Sequence, residues 1–304
     1  MSTATQFANL AKFVVATYQG RDNSFPQRVQ FWIDCFGDKD ISALCTDDIE
    51  DGIDILADRD KTLVRVEFVD GVRRIKHVPV PGQKLSPSSI NRYIASLGTV
   101  FKTLRQKRKL PRGFTSPLRG VTRQTEGAGR TLTVSLEDVK RLVACCRVSR
   151  NRKLAAQVAF AATVGWRKSN VQNLRWGDLD LNAGIVDTSR TKNGTAHRGI
   201  LLPWVIEELS YIKPERAESG DLVFGKADIT KAFKNALKLA DLPEEWTFHH
   251  LRHVAASILA QSGASTVTIM QALNHKSPMM AMRYSHLNTT ALRDSMMNAW
   301  GAAA

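Results

Sequence analysis

Over most of this chain apolar residues return every three or four positions, a spacing that predicts amphipathic helices. "FANLAKFVVATY" (7–18) and "FPQRVQFWIDCFG" (25–37) carry it near the N-terminus, and "CTDDIEDGIDIL" (45–56) repeats it behind Thr46 or Asp47 as the cap. The longest stripe follows Pro87. In "SSINRYIASLGTVFKTLRQK" the residues Ile90, Tyr93, Ile94, Leu97, Val100, Phe101 and Leu104 share one helical face. Between the last two segments the period drops to two. "TLVRVEFVDGVRRIKHVPVPG" alternates β-branched and polar residues on both sides of Asp70-Gly71, which predicts a hairpin over about 62–80 with a type I′ turn. It reads as a surface hairpin, and Arg65, Arg73, Arg74 and Lys76 leave DNA contact open to it.

From residue 131 the pattern begins again. "TVSLEDVKRLVACC" offers Ser135 as cap to a helix with Leu136, Val139, Leu142 and Val143 on its apolar face. "KLAAQVAFAATVGW" (153–166) reads as a buried helix ending at Gly165. "GIVDTSRTKNGTAHRGILLP" (184–203) alternates like two strands around Asn193-Gly194, a strong hairpin dipeptide. From "PWVIEELSYI" (203–212) to the C-terminus the period is helical. The fold class is therefore mainly α with a small β-sheet, in two domains, which suits a chain of 304 residues that is 43% apolar.

Charge changes this picture most between the two regions. Lys102, Arg105, Lys107, Arg108, Lys109, Arg112, Arg119, Arg123 and Arg130 are opposed there by Glu126 alone, in a stretch broken by glycines and prolines. This predicts a basic linker over 116–130, with Arg105, Lys107, Arg108, Lys109, Arg112, Arg119 and Arg123 as candidate contacts to a phosphate backbone. The whole chain carries +14, the balance of a protein that meets a polyanion. No apolar run reaches the roughly 20 residues of a membrane span, and the N-terminus lacks an export pattern, so a cytoplasmic, nucleoid-associated location is expected. Cys35, Cys45, Cys145 and Cys146 lack CxxC spacing; they read as buried thiols rather than zinc ligands or disulfides.

"TFHHLRH" (247–253) places three of the seven histidines around Arg252. His249 and His253, four apart, have the spacing of a metal pair, but the general-base Glu of HExxH is replaced by His250, and Arg252 would set a fixed positive charge beside the cation. An anion site explains the residues better. Planar guanidinium groups match the equatorial oxygens of a phosphoryl transition state. Arg252 with His249 supplies one such group and an imidazole, Arg167 after the helix break at Gly165 a second guanidinium, and Lys192 at the hairpin tip an ammonium able to protonate a leaving alkoxide. His275 adds a donor and Tyr284 a phenol.

In this order, "TVGWRKSNVQNLRWGDLDL", "RTKNGTAHRGILLP", "HHLRHVAASILAQSG" and "LNHKSPMMAMRYSHL" resemble the catalytic domain of the tyrosine recombinases, the phage-integrase family, over roughly residues 131–290. "FGDKDISALCTDDIEDGIDIL" and "LSPSSINRYIASLGTVFK" are more loosely similar to the family's helical, SAM-like core-binding domain. The resemblance implies a Xer-like recombinase without an arm-binding domain: a core-binding domain over 1–115, the linker, and a catalytic domain over 131–304, together forming a C-shaped clamp on DNA. It also implies Tyr284 as nucleophile, giving a 3′-phosphotyrosyl link, with Arg167 and Arg252 holding the phosphate. Lys192 would be the general acid, His249 would assist proton handling, His275 would support the phosphate or the tyrosine, and His253 would be structural support. No cofactor, metal or ATP is called for, because the tyrosyl ester keeps the phosphodiester energy.

The implied partners are double-stranded DNA with inverted-repeat core sites, three further protomers in a synaptic tetramer working through a Holliday junction, and accessory DNA-bending or directionality proteins. The task would be integration, excision or dimer resolution. After Tyr284, Leu292, Met296 and Trp300 at spacings of four predict a short helix that docks on a neighbouring protomer. Two departures stand out: Asn170 occupies a position that often holds an acid, and Leu273-Asn274-His275 replaces Leu-Gly-His, with Asn able to take the left-handed turn. The same residues fit two other readings, a monomeric relaxing topoisomerase of the tyrosine type and a DNA-binding regulator without catalysis. Synapsis of two sites separates the first, and the presence of Tyr284, Arg167, Lys192 and Arg252 speaks against the second.

Overall fold

The N-terminal apolar stripes fold into four helices, α1 (Phe7–Ala16), α2 (Phe25–Phe36), α3 (Thr46–Asp58) and α4 (Pro87–Gln106). The computed structural model describes residues 5–69, 72–127, 134–188 and 196–301, and the chain divides into two units, 1–128 and 129–304. Ser86 caps α4 by accepting the Ser89 N–H, and Pro87 starts the helix where its missing N–H costs nothing. The α4 stripe then buries Ile90, Ile94, Leu97, Val100, Phe101 and Leu104 against α1 and α2. Trp32 is fully buried and its indole N–H donates to the Tyr93 carbonyl at 2.9 Å, which pins α2 to α4.

The α3 helix starts at Thr46, so Cys45 rather than Thr46 or Asp47 occupies the cap, with the Asp48 carboxylate accepting the Cys45 N–H at 2.9 Å. Thr46 instead donates its hydroxyl to the Pro117 carbonyl. The cap position exposes Cys45, and of the four free cysteines only Cys146 is buried, which corrects the expectation of four buried thiols. Strands β1 (Asp60–Val69) and β2 (Val72–Lys84) pair antiparallel from Thr62↔Pro79 to Val69↔Val72 as a two-stranded ribbon. The Asp70-Gly71 turn lies outside the described residues, as do the side chains of Arg65 and Arg73.

The basic segment beyond α4 is laid back on the first unit as far as Glu126. Leu110, Phe114, Leu118 and Val121 pack on its core. The Asn91 side chain donates to the Gln124 carbonyl and to Glu126 and accepts the Gln124 N–H. Asn91 is buried, so these bonds satisfy an amide that would otherwise be costly inside the unit. The stretch expected to be a linker from residue 116 thus belongs, in its described part, to the first unit.

The second unit holds α5 (Leu136–Arg147), α6 (Leu154–Val164), α7 (Lys168–Gln172), β3 (Leu179–Asp180), β4 (Ile185–Thr188), β5 (His197–Ile200), α8 (Pro203–Ile212), α9 (Thr230–Leu239), α10 (His250–Gln261), α11 (Thr266–Leu273), α12 (Pro278–Met282) and α13 (Thr289–Trp300). Ser135 and Asp138 form the capping box of α5, while Leu136, placed on the apolar face by periodicity, sits exposed in the first turn. Nearly every residue of α6 is buried, because α5, α8 and α10 all pack around it. A third strand, β3, which the alternation did not reveal, joins β4 and β5 in an antiparallel sheet of order β3-β4-β5. Asn193-Gly194 and Arg130 lie outside the described residues. Among the described residues no helix is long and apolar enough to cross a membrane.

Candidate active site

The site is built where α6 stops. Gly165 ends the helix in the left-handed conformation, φ +67°, and a Cβ there would stand 2.3 Å from Leu273 Cδ2 and 3.0 Å from Ala255 Cβ. Glycine is required on both counts, and its absence of a side chain lets α10 and α11 close over the helix end. The freed Gly165 carbonyl accepts Arg252 Nη1 at 2.8 Å. Arg252 is 6% exposed, and its Nη2 is buried without a hydrogen-bond partner. Burial first, then the charge of Arg167, lowers its pKa to about 10. A buried guanidinium with an orphan N–H calls for an acceptor, and its charge favours an anionic oxygen.

Arg167 follows two residues after Gly165 and caps α7 in an extended conformation, half-buried. Asn170 completes the first turn of that short helix through its own N–H to the Arg167 carbonyl. The α10 helix begins at His250, so His249 stands just outside it as the cap, exposed beside a hollow of about 280 Å³ that Lys168 and Lys234 also line. Burial, Arg252, His250 and Arg167 lower the His249 pKa in that order. His250, to which the sequence assigned no task, accepts the Thr247 N–H on Nδ1 at 2.8 Å and so closes the turn that leads into α10.

Tyr284 does not ride on the helix that begins at Pro278. That helix ends at Met282, because Arg283 and Tyr284 turn the chain into a short 3-10 segment, Ser285–Leu287. Tyr284 is 6% exposed, packed with Ala255, Ala256, Ala260, Ile269, Leu273 and Ala281. Burial raises the pKa of its phenol against the pull of Arg252 and Arg283. Its hydroxyl meets His253 Nδ1 at 2.5 Å, so the histidine expected to be support is the one in contact with the tyrosine oxygen. Burial and the surrounding cationic groups lower the His253 pKa to about 4.

His275 follows Asn274, whose left-handed conformation (φ +50°) ends α11. The ring is buried with Nδ1 unpaired, and burial together with Arg252 and Arg167 lowers its pKa to about 4. The structure therefore brings Arg167, His249, Arg252, His253, His275 and Tyr284 into one electrostatic cluster. Lys192 lies outside the described residues, between Thr188 and His197. Arg105, Lys107, Arg108, Lys109, Arg112, Arg119 and Arg123 are all exposed, in the first unit.

One neighbour of the cluster escaped the sequence reading. His197 on β5 is buried, stacks on Trp166 at 5.0 Å, and meets the Ala272 carbonyl at the end of α11 through Nε2, 3.1 Å. Burial is the main cause of its lowered pKa. The signal was there in the period of two, which puts His197 on the same buried face as Gly199. Among the described residues no group of three His, Cys, Asp or Glu is placed to hold a metal ion.

Comparison with known proteins identifies the architecture. The shufflon-specific DNA recombinase of Escherichia coli is 28% identical over 238 residues, 76% of this chain; the chain spans only 59% of that relative's length. The Tn1549 transposon integrase, solved in complex with transposon right end DNA, superposes over 98% of this chain and 100% of that one with a TM-score of 0.66 at 16% identity. A lambda integrase tetramer bound to a Holliday junction gives 0.63 at 14% identity, over 93% of this chain and 77% of that one. These two show the shared, mainly helical fold. The sequence profile of the Phage integrase family matches residues 133–291, the stretch that carries Arg167, the histidine cluster and Tyr284, and the chain belongs to that family, the tyrosine recombinases.

Proposed function

We propose that this protein is a site-specific recombinase that cuts and rejoins duplex DNA through Tyr284. The observation that carries the reading is the buried pairing of a tyrosine hydroxyl with an imidazole beside Arg252, whose orphan Nη2 offers a donor to a phosphate oxygen. The Tyr284 oxygen attacks the scissile phosphorus and forms a 3′-phosphotyrosyl ester; the bond to the 5′-oxygen breaks, and that oxygen takes up a proton. Arg167 and Arg252 hold the phosphate and match its equatorial charge as it develops. Lys192 is the general acid at the leaving oxygen, His249 assists proton handling, and His275 supports the phosphate or the tyrosine. The ester conserves the phosphodiester energy, so resealing by a 5′-hydroxyl requires neither ATP nor metal.

The substrate is double-stranded DNA bearing inverted core repeats, exchanged in a tetramer during integration, excision or dimer resolution. Seven exposed cations between Arg105 and Arg123 support backbone contact by the first unit. The exposed Met296, Met297 and Trp300 of α13 support docking of this helix on a neighbouring protomer, while the Leu292 side chain lies outside the described set. Incubation with a nicked suicide duplex tests the chemistry: a covalent adduct is expected with wild type in EDTA and none with Tyr284→Phe. An adduct that survives Tyr284→Phe removes the mechanism. Deleting residues after Asn288 is expected to weaken assembly on DNA and leave the monomer folded; unchanged assembly removes the docking role. Strand exchange between two sites, rather than relaxation by a monomer, separates recombinase from topoisomerase.

A further inference from the structure

We infer that His253, rather than His249, accepts the proton of Tyr284 as the phosphotyrosyl bond forms, an inference that rests on Tyr284 being the nucleophile. His253 Nδ1 stands 2.5 Å from the Tyr284 hydroxyl. The His249 ring instead meets the His253 ring edge to face, with centroids 5.4 Å apart. A ring nitrogen accepts an O–H only when it carries no proton; with Nδ1 as the acceptor in this contact, the His253 proton sits on Nε2 and Nδ1 is free to receive another.

The surroundings keep the ring in that neutral form. Burial acts first, then His249 from the cap of α10, His250 and Arg252 from the helix itself, and Arg283 from the segment that carries Tyr284, while His275 at the end of α11 is close enough to feel its charge. Such a base is weak while the charge of Arg252 stands unopposed. A bound phosphodiester brings negative charge beside Arg252, and this offsets one of the cations that depress the imidazole. The proton affinity of His253 thus rises where and when the phosphorus is engaged, which favours the transition state over the resting site.

The step balances. The Oη–H bond breaks and its proton passes to His253 Nδ1, while the freed electron pair forms the Oη–P bond. The P–O5′ bond breaks with its electron pair on the 5′-oxygen, which is protonated by the acid assigned to Lys192. In resealing, the His253 imidazolium returns the proton to Oη.

The test uses the full chain and a duplex recovered from genomic fragments by binding to it, nicked beside the scissile phosphate, with oxygen or sulfur at the 5′-bridging position. A thiolate leaves without a proton, so the sulfur duplex reports on tyrosine activation and not on the general acid. His253→Gln keeps a hydrogen-bond partner for the hydroxyl but takes no proton. It is expected to bind both duplexes like wild type and to cleave both about 10²-fold more slowly or worse, its rate rising about tenfold per pH unit between about pH 7 and 9 as phenolate forms, while wild type stays flat. Lys192→Ala is expected to recover on sulfur.

Cleavage by His253→Gln within about threefold of wild type, rescue by sulfur, or a deficit independent of pH would overturn the inference, the last outcome marking a purely structural contact. The pH-rising profile appearing in His249→Gln instead would reassign the proton to His249. Should His253→Gln lose its thermal transition, His253→Asn serves the same comparison. Absence of any Tyr284-dependent adduct from wild type would overturn the recombinase reading itself, whereas normal wild-type cleavage with an unaffected variant removes only the role of His253.

Discussion

Replacing Arg252 by methionine should leave the DNA-free protein as stable as wild type or more so, while abolishing cleavage. Burial pulls the Arg252 pKa well below the usual arginine value, to about 10, and at about 1.4 kcal/mol per pH unit holding the charge inside the fold costs roughly 3 kcal/mol. A cation whose folded pKa is depressed carries that cost at every pH below the folded value, here about 10, and recovers it only above that. At pH 7 the whole penalty is therefore present.

Methionine removes it, fills a similar volume, and gives up the hydrogen bond to the Gly165 carbonyl, a loss of about 1–3 kcal/mol. The net expectation is between zero and about 2 kcal/mol of added stability, the usual outcome when a buried charge gives way to an apolar residue of its shape. Urea unfolding at pH 7 followed by tryptophan fluorescence measures this, since Trp166, Trp176 and Trp246 are buried in the same unit. Wild type should also gain stability from bound duplex that the variant does not. A variant destabilised by more than about 2 kcal/mol without DNA would refute the reasoning, because Arg252 would then be a structural strut and not a strained anion receptor.

Gly165→Ala should cost about 1–2 kcal/mol for the left-handed backbone and about 1–3 kcal/mol more for the overlap with Leu273 and Ala255, read by the same urea titration. Asn274→Gly is expected to hold or raise stability by up to about 1 kcal/mol and to keep cleavage, whereas Asn274→Val should lose both, since a β-branched residue resists φ +50° and would displace His275; equal behaviour of the two variants contradicts this. His253 and His275 have folded pKa values of about 4 against 6.5 in the unfolded chain, so unfolding takes up protons between those values. Stability should accordingly be full above about pH 6.5 and decline as pH falls toward about 4, and urea midpoints that stay level from pH 7 to 5 would disprove it.

Much of the fold was legible because its elements report local physics. The α4 stripe, the Ser135 cap, the stop at Gly165 and the left-handed Asn274 each depend on a few neighbouring residues, and each was found where the pattern placed it. Tyr284, Arg167, Arg252, His249 and His275 could be named in advance because their order and spacing match a family. Periodicity alone could not have assembled a site from residues more than a hundred positions apart.

Tertiary structure decided what contact decides. Leu136 is apolar and falls on the stripe by periodicity, yet the fold leaves it exposed in the first turn of α5. The segment after residue 116 reads as a linker by composition, but Asn91 and the sites for Leu118 and Val121 lie on helices that are remote in sequence. The period of two puts His197 on the buried face of β5, but its contact with the Ala272 carbonyl exists only once β5 is laid under the end of α11. "TFHHLRH" fixed three histidines and an arginine on one turn, and no feature of those seven residues says which ring reaches the tyrosine. That choice falls to His253 because α12 ends at Met282 and the chain beyond it brings the Tyr284 hydroxyl onto the first turn of α10, a matter of how the two segments meet rather than of either one's sequence.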